Sequence, residues 1–306
     1  MSALGALRSW VPFQNRLRWL WHQVVPARTD VLALPYCGSL RLQTRIVLHP
    51  GEFFTRPQHR LVYQWLKRPI DLPVRIRANT GLARPVESRL RLVPGHPMVL
   101  DCRSMLRERQ LAEDADYVFE VPVEFNQPLP LIEIQMKEFE SRVWGSFIIH
   151  WINFKMRDVK FVMFSPKFRL SEQEESRALL AYSSTDPAMP PRNAIRYILC
   201  DETGRVVVNG RCVVERGSFV ILPTREELQS LHGHYTMMAR AEQALASITL
   251  NHHRASRVVT LEHTQPMGKY HRLMAAERRV TDLKAYWYQR LEAVAPPADR
   301  LEAVAR

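Results

Sequence analysis

Short runs of alternating apolar and polar residues mark the first third of the chain. In Leu40–Ile46, Leu40, Leu42 and Ile46 fall on one side and Arg41, Gln43 and Arg45 on the other; Val74–Arg77 and Arg89–Leu92 repeat the pattern. A two-residue period marks a strand with one face buried. If the three runs share one sheet, Arg41, Arg45, Arg75, Arg77, Arg89 and Arg91 line its solvent face. The pattern predicts a short helix between the first two, from Pro57 to Lys67, because proline suits a first helical position and Pro69 ends the run.

Further along, strands are expected over Tyr117–Phe125, over Leu131–Lys137, where Ile132, Ile134 and Met136 alternate with Glu133, Gln135 and Lys137, and over Val159–Phe164. Phe139, Val143, Phe147, Trp151 and Phe154 recur at helical spacing, with a strand pair as the alternative. Ser183–Arg192, with Pro187, Pro190 and Pro191, reads as a linker or long loop. Ile195–Cys200, Arg205–Val208, Arg211–Val214 and Phe219–Leu222 read as an antiparallel meander, with Asn209-Gly210 supplying a type I′ turn. Thr224-Arg225-Glu226-Glu227 is a capping box, and it opens a helix that sets Leu231, Tyr235, Met238, Leu245 and Ile248 on one face. A last helix runs from about Gly268 to Ala295, where Leu273, Val280, Trp287 and Val294 stand seven apart and make a seam for one partner helix. At about 1.5 Å per residue it is on the order of 40 Å long.

These elements predict an α+β fold, with antiparallel sheets and a meander, flanking helices and a long C-terminal helix. The chain divides into a basic amphipathic segment (1–29), an Arg-rich β-containing region (30–110), a mixed body ending in the meander (111–223) and a helical C-terminal region (224–306).

Charge changes the picture. The 306 residues carry 43 Lys+Arg against 31 Asp+Glu, a formal +12. Residues 1–110 hold 18 basic and 6 acidic side chains, and residues 111–306 hold 25 of each, so the whole excess belongs to the first third. Such asymmetry points to a polyanion or an anionic membrane as partner. Only seven of the basic residues are Lys. Arg is the residue for bidentate phosphate contacts and stacking, although a GC-rich genome gives the same skew.

From Met1 to Thr29 there is no acid, while Arg8, Arg16, Arg18 and Arg28 punctuate Leu and Trp residues. An acid-poor amphipathic start fits a mitochondrial targeting segment, or a helix docked on a partner or membrane surface. The four cysteines, Cys37, Cys102, Cys200 and Cys212, have no metal-type or disulfide-frame spacing, so reduced thiols in an intracellular compartment are expected. No apolar run reaches the roughly 18 residues of a membrane span.

Catalytic patterns are weak. There is no Walker loop, GxGxxG, GxSxG or HExxH. His232 and His234, and the adjacent His252 and His253, are the best metal candidates, but within a helix residues two apart diverge. No cofactor, no metal and no enzymatic activity are expected.

The binding case is stronger. Arg41, Arg45, Arg75, Arg77, Arg89, Arg91, Arg103, Arg107 and Arg109 place phosphate-contacting groups in one third of the chain. Arg254, Arg257, Lys269, Arg272, Arg278 and Arg279 form a second basic segment, with His252, His253, Tyr270 and His271 as stacking partners. An Arg-rich chain with a basic acid-free start, a mixed body and a long terminal helix resembles, in style, the lineage-specific proteins of mitochondrial ribosomes. That resemblance implies a non-catalytic structural subunit in the mitochondrial matrix or on the matrix face of the inner membrane. Its partners would be ribosomal RNA and neighbouring subunits, with peripheral membrane contact through the N-terminal segment and no DNA sequence recognition. The alternatives are an accessory subunit of a respiratory or ATP synthase complex at the inner membrane, and a metal-dependent enzyme using the His-rich C-terminal region.

Overall fold

A computed structural model of the chain describes residues 29–49, 69–79, 84–93, 98–124, 131–149, 161–182, 189–243 and 245–262. Within them the first half contains β1 (Thr29–Cys37), a 3-10 turn (Gly38–Leu40), β2 (Leu42–His49), β3 (Ile70–Ala78), β4 (Val86–Leu92), β5 (Met98–Asp101), helix α1 (Cys102–Glu108), β6 (Asp116–Glu124), β7 (Leu131–Glu138) and β8 (Gly145–Ile149). The second half contains β9 (Phe161–Leu170), β10 (Glu174–Ala181), β11 (Arg192–Cys200), β12 (Val206–Glu215), β13 (Phe219–Leu222), helix α2 (Arg225–Leu228), β14 (Gly233–Ala241), β15 (Ala246–His253) and β16 (Val258–Glu262).

The fold is therefore β, not α+β. Two four-stranded sheets, β1-β6-β3-β4 and β5-β2-β7-β8, accompany an eight-stranded sheet in the order β12-β11-β14-β9-β10-β15-β16, with β13 paired to β10. All pairings are antiparallel. One core is shared by the three sheets, with Tyr36, Ile46, Ile76, Phe119 and Ile134 of the small sheets packed against Leu179, Ile248, Leu250 and Val259 of the large one. A second core lies on the other face of β10, where Ala178 and Leu180 join Phe168, Tyr197, Leu199, Tyr235 and Met237. β10 thus buries both of its faces, as its continuous Ala178–Ala181 run allows.

The helix expected after the capping box is the main correction. Thr224 and Glu227 do form the reciprocal capping pair, but α2 spans only Arg225–Leu228 before the chain enters β14 and β15. The five residues read as one helical face divide among three clusters: Leu231, Tyr235 and Leu245 lie with the second core, Ile248 with the shared core, and Met238 with Ile198 and Cys200. β14 and β15 bury residues on both faces, Arg240, Ser247 and Thr249 among them, so their polar positions do not mark a solvent side, and helical spacing can be picked out of the apolar residues between them. The long helix over Gly268–Ala295, with its seam at Leu273, Val280, Trp287 and Val294, lies outside the described residues, as do the N-terminal segment and the Pro57–Lys67 helix.

The Asn209-Gly210 turn is the second correction. β12 runs straight through both residues, with Asn209 opposite Ile198 and Gly210 opposite Tyr197. Gly210 is needed for space and not for a turn. A Cβ there would stand 2.6 Å from Tyr197 Cε1 and closer still to the ring's Cζ and hydroxyl. The Phe139 stretch resolves in favour of strand where it is described: Phe139–Trp144 is a loop and β8 follows it.

Candidate anionic-ligand interface

The arginine-bearing strands do not share one sheet. β2 belongs to one small sheet and β3 and β4 to the other. On β3 and β4 the expected face does exist: Arg75 stands opposite Glu87 and Glu120, Arg89 opposite Pro73, and Arg91 opposite Asp71. It is a face of mixed charge, and Arg75 Nε donates to Glu87 at 3.3 Å. Arg77 has left the surface. Its side chain is 15% exposed, its Nε donates to Glu120 at 3.0 Å, and its other nitrogens reach the Gly217 carbonyl and Ser218 Oγ. Asn79 closes the same junction by exchanging hydrogen bonds with the Phe219 backbone at 2.9 Å each. Arg77 is therefore a tie between a small sheet and the β12–β13 turn, not a ligand contact.

Arg41, Arg45, Arg103, Arg107 and Arg257 do come together, around the β7–β8 loop. The loop presents two rings. Arg103 lies 4.0 Å and Arg41 5.9 Å from the centre of Phe139, and Arg45 lies 4.0 Å and Lys137 Nζ 4.9 Å from the centre of Trp144. Strand alternation puts Gln43, Arg45, Gln135 and Lys137 on the outward face of β2 and β7, while Ile46, Ile134 and Met136 point into the shared core. The β15–β16 hairpin delivers Arg257 from far along the sequence, with its turn residue at φ 54°. That hairpin is seated closely: a side chain on Gly145 would collide with the Val259 carbonyl.

Carboxylates organise these cations in shared pairs. Glu140 accepts from Arg41 at 3.4 Å and from Arg257 at 2.9 Å. Glu113 accepts from both Arg103 and Arg107, the latter at 2.5 and 3.1 Å. These bonds hold the Glu113 carboxyl down to about 2, with Arg107 contributing most and Arg103 next. Asp101 caps α1 at Ser104, accepts Gln43 Nε2 at 2.8 and 2.9 Å, and takes Arg45 Nε at 3.3 Å. Lys137 donates to the Ser141 carbonyl at 2.8 Å. Burial, then the nearby Arg45 charge, pushes its pKa below the ordinary lysine value. The cluster thus sets Arg41, Arg45, Arg103, Arg107, Lys137 and Arg257 against Asp101, Glu113 and Glu140. Each guanidinium has five N–H donors in a planar fork, so one shared with a carboxylate keeps others to offer an anion.

No protein-family model matches the chain, and no curated protein matches it. The remaining expectations are placed by geometry alone. Arg109 is the exposed C-cap of α1. Arg254 pairs with Glu175, which also receives Arg177. Lys269, Arg272, Arg278 and Arg279 lie outside the described residues. His232 just precedes β14 and His234 lies on it, at the start of a strand and not in a helix, and both are exposed. His252 and His253 turn to opposite sides of β15, toward Glu138 at 3.3 Å and Glu174 at 2.9 Å. Among the described residues, no three His, Cys, Asp or Glu are grouped to hold a metal ion.

Trp144, Lys137, Asp101, Gln43, Glu113 and Glu140 were missed as site residues in the sequence reading, and Phe139 was read as part of an apolar stripe. The available signal was the loop itself, Phe139-Glu140-Ser141-Arg142-Val143-Trp144, in which charge is interleaved with aromatic rings between two strands.

Proposed function

We propose that this chain is a non-catalytic structural subunit that contacts RNA phosphates through the cluster at the β7–β8 loop, within a mitochondrial ribonucleoprotein of which the mitoribosome is the best-fitting example. One observation supports the phosphate reading above the rest: Arg41 with Arg257, and Arg103 with Arg107, each share a single carboxylate. Each pair is held in place by its acid, with one member, Arg41 or Arg103, over Phe139, yet remains one charge in excess. This is the arrangement a phosphate completes, because preorganised guanidiniums lose less freedom when the anion arrives. The compartment rests on the acid-free residues 1–29, and the RNA class on the charge of the first third. Residues 1–28 and 50–68 carry +7 of its +12, so the cluster is one contact among several along the same polyanion.

The test is sedimentation of native particles from mitochondria. The chain should travel with ribosomal particles and be released by RNase. Migration with detergent-solubilised inner-membrane complexes, unaffected by RNase, would contradict the proposal.

A further inference from the structure

The large sheet has a second apolar patch, on the face turned away from the second core. Phe164 of β9 stands opposite Met238 of β14, and Met238 opposite Ile198 of β11. The register shift near Leu199 sets Val206 opposite Cys200 on the same face. Ile198 is 3% exposed and Met238 4%, with Cys200 buried beside them. Among the described residues, every apolar side chain packed with these three lies on the same sheet. A sheet buries a face against a second layer, not by itself.

Charge describes what that layer has to carry. Next to the patch, Arg196 of β11 stands opposite Arg211 of β12 on one side and Arg240 of β14 on the other. Like charges directly opposite destabilise a sheet. Burial deepens along this row, from exposed Arg211 through half-buried Arg196 to Arg240 at 8%. Glu215, on the same face, is already paired with Arg192 at 3.7 Å. A layer that buries guanidiniums has to answer their charge.

The longer segments outside the described residues differ in the acid they can bring. Residues 1–28 hold none, 50–68 hold Glu52 against four bases, and 150–160 hold Asp158 against three. Residues 281–299 hold Asp282, Glu292 and Asp299 against Lys284 and Arg290, interleaved with Leu283, Trp287, Leu291 and Val294. Position agrees with charge. β16 ends at Glu262 opposite Thr249, whose hydroxyl donates at 3.4 Å to Ser165, the neighbour of Phe164 on β9. Residues 263–280 can span up to about 60 Å, far more than the width of the patch.

We infer that residues 281–299 form the second layer on this face, with their apolar side chains over Ile198, Met238 and Phe164 and their carboxylates toward Arg196 and Arg240. The C-terminal segment then closes this side of the large sheet from within the chain.

p-Benzoylphenylalanine in place of Phe164, in the full chain at high dilution, should cross-link on irradiation to a peptide within 281–299. Cys200 gives a second readout, because it lies in the patch whereas Cys37 and Cys102 are buried in the shared core. Leu283→Ala/Trp287→Ala should speed alkylation of Cys200 at least about tenfold and leave Cys37 and Cys102 unchanged. Cross-links to residues 1–28, 50–68 or 150–160 or to a second copy, no cross-link at all, or Cys200 accelerated no more than the core thiols would overturn the inference.

Discussion

Gly210→Ala isolates the contact that keeps β12 straight. The added Cβ would stand 2.6 Å from Tyr197 Cε1, and the ring cannot swing away freely, since Tyr197 is 2% exposed and its hydroxyl donates to the Glu227 carboxylate at 2.8 and 2.9 Å. Two responses are open. If the strands part, overpacking costs about 1–3 kcal/mol. If the ring moves and its bond to a charged acceptor breaks, the loss is about 1.5–3 kcal/mol. Replacing glycine stiffens the unfolded chain and returns about 0.4–1 kcal/mol, so the net destabilisation is about 1–2 kcal/mol. Urea denaturation followed by tryptophan fluorescence resolves a change of that size. The decisive comparison is the same substitution in a Tyr197→Leu background, where no ring is in the way. There Gly210→Ala should be neutral or slightly stabilising, giving a coupling of more than about 1 kcal/mol between the sites. Equal destabilisation in both backgrounds, or none in the native one, would refute the claim that Gly210 is glycine to make room for the ring.

Arg77→Ala should lower stability by about 2–4 kcal/mol, because it leaves Glu120 half-buried without its partner; Arg77→Ala/Glu120→Gln should regain part of that loss, and denaturation curves indistinguishable from the parent would contradict the junction role. Glu113→Gln tests linkage. With its folded pKa depressed to about 2 from an ordinary 4.5, the carboxylate's contribution is fully present above pH 4.5 and is lost as pH falls toward 2. The stability gap between parent and variant should therefore close over that window, and a gap still open at its acid end would be the wrong result. Trp144→Ala should let water reach Lys137, so its pKa, lowered by burial, should rise toward 10.5 when followed by carbon NMR of the ε-methylene; an unchanged titration would show that Trp144 does not shield it.

Where one strand face meets a core and the other meets water, the alternation in the sequence was a faithful guide. Ile46, Ile134 and Met136 point inward, opposite Arg45, Gln135 and Lys137, as the two-residue period requires. Legibility failed where both faces are buried. In Tyr235–Ala241 the polar phase of Thr236 and Arg240 is interrupted by Met238 and Arg240 is itself buried, so Met237 and Met238, facing different clusters, could be taken for part of a helical stripe. It failed again at Gly210, because a glycine chosen for a ring on the neighbouring strand looks the same in sequence as one chosen for a turn. For the candidate site, residue type was visible and grouping was not. Arg75 and Arg77 are two apart on one strand, yet one meets Glu87 on the surface and the other is drawn into a junction made by residues 216–219. Arg41 and Arg257 meet at Glu140 only because the β15–β16 hairpin folds back beside β7 and β8.

The central claim, that the paired arginines at the β7–β8 loop hold RNA phosphates, is tested most directly by the salt dependence of binding to single-stranded RNA. In Arg41→Gln/Arg257→Gln, fold should be retained, since these are exposed ion pairs worth about 0–1 kcal/mol. If each guanidinium neutralises one phosphate, the slope of log K against log salt should flatten by about 1.4. Glu140→Gln should act the opposite way, tightening binding by freeing both guanidiniums from their shared acid. An unchanged slope in the first variant together with unchanged affinity in the second would contradict the account.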